Sequence, residues 1–127
     1  MLLEVLVALL IFAIGVLGLV SMQSTAVRQS SDAQYRTIAA IQAQNLISQM
    51  WMSKRTVGVL SANYASGGAG YTAWYNVLKT SGLPQVTDYP PTVTFATGSN
   101  LATITVFWKA PGDTDKHQYI ALAQVAE

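Results

Sequence analysis

The first feature of the chain is an unbroken run of apolar residues near its start. Val5 to Val20 contains only uncharged apolar positions, and no charge follows Glu4 until Arg28. A core helix usually has a polar face, whereas this run is apolar on every side. As a helix, the uncharged stretch Val5 to Val27 measures about 34 Å, which is enough to cross a hydrocarbon core of about 30 Å. The pattern predicts a transmembrane helix.

A cleaved secretory signal is the competing interpretation of Leu2 to Met22. Such a signal begins with positive residues and ends at a small-residue cleavage site. Here the only early charge is negative, at Glu4, and the apolar run continues without a break into a helical pattern. We therefore expect the segment to be retained, with residues 1–22 forming the transmembrane half of one long N-terminal helix.

The next region, 23–55, keeps the helical period but acquires a polar surface. No proline occurs before Pro84 to interrupt it. Apolar positions recur mostly at spacings of three and four, at Val27, Tyr35, Ile38, Ala39, Ala43, Leu46, Ile47 and Met50. Glutamines take up much of the opposite surface, at Gln23, Gln29, Gln34, Gln42, Gln44 and Gln49. This region is predicted to be the amphipathic half of the long helix, and only this half is expected to pack against the rest of the chain.

Residues 56–91 form a predicted connection with one short helix. Thr56 to Gly70 is expected to be irregular, and most flexible in its glycine-rich part. Thr72 is placed to cap a helix from Ala73 to Ser81, which Gly82 would end. Trp74 and Leu78, four residues apart, would form the inner face of that helix.

Residues 92–127 have the alternation of an antiparallel sheet. Thr92 to Ala96 leads into a turn, and Thr103 to Trp108 places Ile104, Val106 and Trp108 on one face. Gln118 to Val125 is the third predicted strand. A meander of three or four strands against one helix face is the simplest way to bury these residues. The predicted fold is α+β: a long N-terminal helix packed on a small antiparallel sheet.

Composition and charge argue against some classes of function but do not identify one. Hydrophobic residues make up 51% of the chain and charged residues only 10%, against roughly 25% charged in ordinary soluble domains; the excess is confined to the first segment. The net charge is +1 and the seven basic residues are scattered. This gives no support to nucleic-acid binding. The absence of cysteine excludes a disulfide framework and thiolate metal sites.

Candidate catalytic and ligand-binding residues are few. The stretch Ser66 to Gly70 lacks the following Lys-Ser/Thr of a phosphate-binding loop, so an ordinary loop is favoured. His117 is the single histidine and has no nucleophile beside it in a recognisable motif. Asp113 and Asp115 flank a turn without the further acids of a dedicated calcium loop, so a turn-forming role is favoured. The sequence predicts no catalytic residue, no metal site and no cofactor.

The string MLLEVLVALLIFAIGVLGLV at residues 1–20 resembles the N-terminal segment of type IV prepilins. Residues 2–49 are similar to minor pilins of the type IV pilus modification (PilV-like) family. The helix of that family has the pattern E-V-L-V-A-L-x-I-x-x-x-G-x-L-G-L, followed by a glutamine- and alanine-rich extension. The remainder resembles the family more loosely, through Leu83-Pro84 and Val106-Phe107-Trp108.

The resemblance implies a type IV pilin-like fold and a non-enzymatic minor pilin that takes part in pilus assembly and priming. It implies that Glu4 pairs with the α-amino group of a neighbouring subunit and so sets the axial register of assembly. The expected partners are other minor pilins, the major pilin, the inner-membrane assembly platform and membrane lipid. Three residues precede Glu4, where the family's mature chain has four. The family also implies a basic leader ending in glycine, its removal by a prepilin peptidase, and N-methylation.

The same resemblance places the chain in the inner membrane, with its β-containing part in the periplasm, before assembly moves it into the pilus at the cell surface. Two alternatives remain open. A type II secretion pseudopilin shares this helix and fold. A single-span membrane protein with a periplasmic ligand-binding domain belongs to a different functional class.

Overall fold

A computed structural model describes all residues from Met1 to Glu127 and contains three helices followed by three strands. The helices are α1 (Leu2–Met52), α2 (Val59–Tyr64) and α3 (Ala69–Leu78), and the strands are β1 (Thr92–Phe95), β2 (Leu101–Trp108) and β3 (His117–Gln124). The chain divides into two units, which we call the stem (Met1–Ala33) and the head (Gln34–Glu127). Helix α1 contributes to both. The predicted α+β, type IV pilin-like layout, a long apolar helix packed on a small antiparallel sheet, is confirmed.

The stem consists of the first part of α1 alone. Every residue from 1 to 30 is exposed. The Thr25 hydroxyl donates to the Ser21 carbonyl at 3.1 Å, so this polar side chain is satisfied within its own helix. Val27, which the periodicity assigned to the packed face, is exposed here because it precedes the part of the helix that enters the head core.

The head part of α1 supplies one side of the core. Ala39, Ala43, Leu46 and Met50 are buried at spacings of four, three and four, as the periodicity predicted. Helix α1 ends at Met52, slightly before the predicted boundary at residue 55, and the hydroxyl and N–H of Ser53 both donate to the Met50 carbonyl at this end.

The connection between α1 and the sheet is more regular than the sequence predicted. The stretch expected to be irregular contains α2, and α3 begins at Ala69, one turn before the predicted start at Ala73. Gly68, with extended backbone, precedes α3 without a side-chain cap. The predicted cap, Thr72, lies inside the helix, where its hydroxyl donates to the Gly68 carbonyl at 2.8 Å.

The three strands form an antiparallel meander in the order β1-β2-β3. Val93 pairs with Ile104 and Ile104 with Ala121, which fixes the register across the sheet. The predicted inner face of β2 is confirmed, since Ile104, Val106 and Trp108 are buried. The strand ends differ from the prediction by one or two residues.

The hydrophobic core lies between the head part of α1, the two short helices and the inner face of the sheet. Its largest fully buried side chains come from all of these elements: Trp74, Leu46, Met50, Leu60, Leu78, Ile104, Val93, Val106 and Val125. The predicted inner pair of α3, Trp74 and Leu78, is part of this core. The Trp74 indole N–H donates to the Gln42 carbonyl at 2.8 Å, which joins α3 to α1. Gln42 is therefore half-buried and departs from the predicted polar surface.

Candidate functional site

The first part of the stem, residues 1–20 apart from Glu4, presents an apolar surface on every side of the helix. Its large side chains are mostly exposed, with Leu2 at 82%, Phe12 at 70% and Leu17 at 70%. Helix α1 is long and apolar enough to cross a membrane, and no residue of its most apolar window is buried. Exposed apolar area costs roughly 25 cal/mol per Å² in water. This surface therefore requires lipid or protein around it.

Glu4 is the one charged side chain within the apolar part of the stem. It lies in the first turn of α1, where a carboxylate interacts favourably with the positive end of the helix dipole. It is exposed, and no cationic group of the chain lies within ion-pair distance of it. The geometry thus provides a carboxylate at the end of an apolar surface, able to accept a cation from another molecule.

Small residues leave room for another helix to approach the stem closely. At both Gly15 and Gly18, no heavy atom lies within 4 Å of the position that a Cβ would occupy. Ala8 and Ala13 extend the set of small side chains along the same segment. Small residues let the backbones of neighbouring helices come close together where water is absent.

The glycine-rich stretch serves packing between α2 and α3. A side chain on Gly68 would overlap the backbone carbonyl of Asn63, and one on Gly70 would lie 2.6 Å from the Tyr64 ring. The Gly70 N–H donates to the Asn63 side-chain oxygen at 3.0 Å. These contacts leave no room for a side chain at either glycine.

Asp113 and His117 are brought together at the turn between β2 and β3. The His117 Nε2 lies 2.8 Å from the Asp113 Oδ2, and the imidazole stacks on the Trp108 ring with centroids 5.9 Å apart. The Asp113 N–H donates to the Ala110 carbonyl at 3.1 Å. Asp115 has a different partner, the Thr114 hydroxyl, at 3.5 Å. These contacts lie within the turn that joins β2 to β3, and the turn-forming role of the two acids stays a prediction.

The outer face of β3 is a second apolar surface, which the sequence pattern did not single out. Ile120 and Leu122 point outward, while Ala121 and Ala123 lie on the more buried side of the strand. Because the strand carries aliphatic residues on both faces, alternation alone could not assign the larger pair to solvent. The signal available in the sequence was the difference in size between the two faces, with Ile120 and Leu122 on one and Ala121 and Ala123 on the other.

No family model, no curated protein and no solved structure matches the chain.

Proposed function

We propose that this protein is a minor pilin-like assembly subunit, anchored in the inner membrane by its stem before it enters a type IV pilus. The observation that carries the proposal is the exposed apolar surface of residues 1–20, which has a carboxylate in the first turn of the helix. The head has a core of its own, and every residue from 1 to 30 is exposed. Lipid covers the apolar surface first, and the stems of neighbouring subunits replace the lipid during assembly.

Glu4 determines the axial position that a stem takes when neighbouring stems replace the lipid around it. A carboxylate surrounded by packed apolar stems has little water to solvate it, so it requires a cation. The chain itself supplies none. The α-amino group of a neighbouring subunit, at the end of an identical type of helix, supplies the charge. A subunit shifted along the bundle would leave both charges unpaired, so the pair selects one axial position.

The remaining proposed roles follow from this arrangement. Other minor pilins and the major pilin contact the stem, and the inner-membrane assembly platform extracts it from the bilayer. The small residues at 15 and 18 allow neighbouring helices to approach closely. The head lies in the periplasm before assembly and at the cell surface afterwards.

Replacing Glu4 tests the proposal. Breaking a poorly hydrated ion pair costs about 3–5 kcal/mol, so Glu4→Ala should lower the amount of the protein in sheared pili by at least about tenfold. The amount in the inner membrane should stay unchanged, because the apolar segment is intact. The measurement is an immunoblot of both fractions from cells that express the variant at the wild-type level.

The matched control is Asp88→Ala, which removes an exposed carboxylate from the head. It should leave incorporation unchanged. Normal incorporation of Glu4→Ala would contradict the role of the carboxylate. Absence of the wild-type protein from pili, combined with its presence in a secretion pseudopilus, would assign it to the pseudopilins instead.

A further inference from the structure

The charged side chains of the stem all lie on one line of helix positions, which we call the seam. They are Glu4, Arg28 and Asp32. Starting at Glu4, alternating steps of three and four residues reach Arg28 and then Asp32. Positions with this repeat face the neighbouring helix when helices supercoil around each other. Between its charged ends the seam contains Val7, Ile11, Ile14, Gly18, Ser21 and Thr25.

The seam differs in composition from the rest of the stem. It contains none of the leucines of the stem, and Phe12 also lies off it. Its apolar members are glycine or β-branched residues, and β-branched side chains have one strongly preferred rotamer in a helix. At Gly18, no heavy atom lies within 4 Å of the Cβ position. Small and hydroxyl-bearing residues favour close contact between helices in a membrane. The seam is therefore the side of the stem best suited to contact a second stem.

The two charges at the end of the seam are not paired with each other. Arg28 is exposed and Asp32 is half-buried. Opposite charges four residues apart on a helix can pair, but no ion pair joins Arg28 to Asp32. The cation precedes the acid here, which is the less favourable order for such a pair. Within the stem, both side chains therefore lack a partner of opposite charge.

The signs of these charges select one arrangement of two stems. Copies that have their heads on the same side of the membrane have parallel stems. If parallel stems were not displaced, each charged side chain of the seam would face its own counterpart, and like charges repel. A displacement of four residues, about 6 Å along the helix, instead places Arg28 of one copy beside Asp32 of the other.

The same displacement suits the other end of the apolar run. In the function proposed above, Glu4 pairs with the α-amino group of a neighbouring subunit, which lies about one helical turn before Glu4 in its own chain. A displacement by about one turn therefore brings this amino group beside Glu4 as well as joining Arg28 to Asp32. Both ends of the seam favour the same axial position.

We propose that two copies of this chain associate in the membrane through the seam, with parallel stems displaced by about one helical turn and Arg28 of one copy paired with Asp32 of the other. The inference rests on the proposed packing of stems against one another, and it adds a second ion pair to the one at Glu4. The displaced copy keeps its own Glu4 and Asp32 free. The contact is therefore heterologous and can be repeated by a further copy.

Cysteine cross-linking tests the displacement. The chain has no cysteine, so Ser21→Cys and Thr25→Cys each introduce one thiol on the seam. The two full-length variants would be expressed together in cells without other pilins, and their inner membranes oxidised with copper phenanthroline. The proposed contact places position 21 of one copy beside position 25 of the other, so a disulfide-linked dimer should form. Ser21→Cys alone should cross-link at least about threefold less, because its two thiols are displaced by roughly 6 Å along the helices.

Charge reversal tests the ion pair. Arg28→Asp in the Ser21→Cys copy, or Asp32→Arg in the Thr25→Cys copy, places like charges opposite each other. Either change alone should lower the dimer yield at least about fivefold. With both changes present, the new carboxylate at position 28 faces the new guanidinium at position 32, and the yield should return to within about twofold of the starting pair.

The matched control is Arg36→Asp in the Ser21→Cys copy, because Arg36 is exposed and lies off the seam. It should leave the dimer yield unchanged. Immunoblots of the membranes check that every variant is inserted in equal amount.

The outcomes separate this pairing from the pilus function. Equal cross-linking of Ser21→Cys with itself would contradict the displacement, and a yield that does not recover when both charges are reversed would contradict the ion pair. Incorporation into pili that depends on Glu4, without any cross-link, would contradict the pairing alone. The predicted cross-links combined with absence of the protein from pili would support the pairing and contradict the pilus function.

Discussion

At the scale of single residues, Tyr71 shows how a polar group is held in the head core. Its hydroxyl donates to the Pro91 carbonyl at 2.6 Å, which joins α3 to the segment before β1. Its ring lies 6.1 Å from that of Trp74 and 5.9 Å from that of Tyr75. Burial, and then the neighbouring Tyr75, raise the pKa of the Tyr71 phenol above its ordinary value of 10.0. The phenol is therefore best accommodated in its neutral, donating form.

This pKa shift predicts a dependence of stability on alkaline pH. The unfolded chain releases the Tyr71 proton at about pH 10, whereas the folded chain retains it to higher pH. The folded state then binds more protons, so the free energy of unfolding falls as the pH rises through this range. Below the unfolded pKa, this contribution to stability is fully present.

Tyr71→Phe isolates the effect. Near pH 8 the variant should be less stable by about 1–3 kcal/mol, because the buried Pro91 carbonyl loses its donor. Above pH 10 the difference from the wild type should narrow, since phenylalanine cannot ionise. Urea unfolding followed by tryptophan fluorescence at pH 8 and pH 10.5 measures both values. If the difference in unfolding free energy between the variant and the wild type stayed constant or widened at pH 10.5, the raised pKa assigned to Tyr71 would be contradicted.

At the scale of elements, the turn between α2 and α3 depends on the absence of side chains at two positions. Gly68 lies against the Asn63 carbonyl and Gly70 against the Tyr64 ring, while Tyr64 itself is buried. The Tyr64 hydroxyl donates to the Gln49 carbonyl at 3.3 Å, so the turn is also tied to α1. The glycines thus let two short helices pack against each other and against the head part of the long one.

Gly68→Ala should destabilise the head by about 1–3 kcal/mol, the usual cost of forcing extra atoms into a packed region. The expected cost is at the upper end because the overlapping atoms belong to backbone, which moves less easily than a side chain. Thermal or urea unfolding of the full chain measures it. Gly15→Ala is the control, since nothing lies near the added methyl group and head stability should not change. Equal stability of both variants would show that the turn tolerates a side chain.

The sequence predicted those elements in which apolar positions recur at a regular spacing over several helical turns or several strand residues. The buried spacing from Ala39 to Met50 and the alternation through Ile104 and Trp108 both reflect one packed face. Helix α2 has six residues and no capping side chain, so local sequence carried too little signal to reveal it. The start of α3 depends on the fit of Gly68 to Asn63, a contact between residues that no local pattern relates.

The features of the candidate site also differ in whether the sequence predicted them. The apolar stem and the position of Glu4 are local properties, and both were evident from the sequence. The exposed pair Ile120 and Leu122 on the outer face of β3 was not, because its exposure depends on which face of the strand packs against the core.

At the scale of the whole molecule, one helix has two different kinds of surface. Its first part exposes apolar side chains on all sides, whereas its second part buries one stripe and exposes the rest to solvent. The change occurs without a proline or a break in the helix. An uncharged length of about 34 Å fits a bilayer, and the head contains its own core. Our account therefore requires the stem to remain attached to the head, in lipid at first and among other stems later.

The intact mass of the protein in two fractions tests this requirement most directly. The protein would be purified from inner membranes and from sheared pili, and the mass of each sample would show whether residues 1–22 are present. Our account predicts that both fractions contain the protein with this segment attached. Recovery of the protein as a soluble monomer, or with residues 1–22 removed, would contradict it.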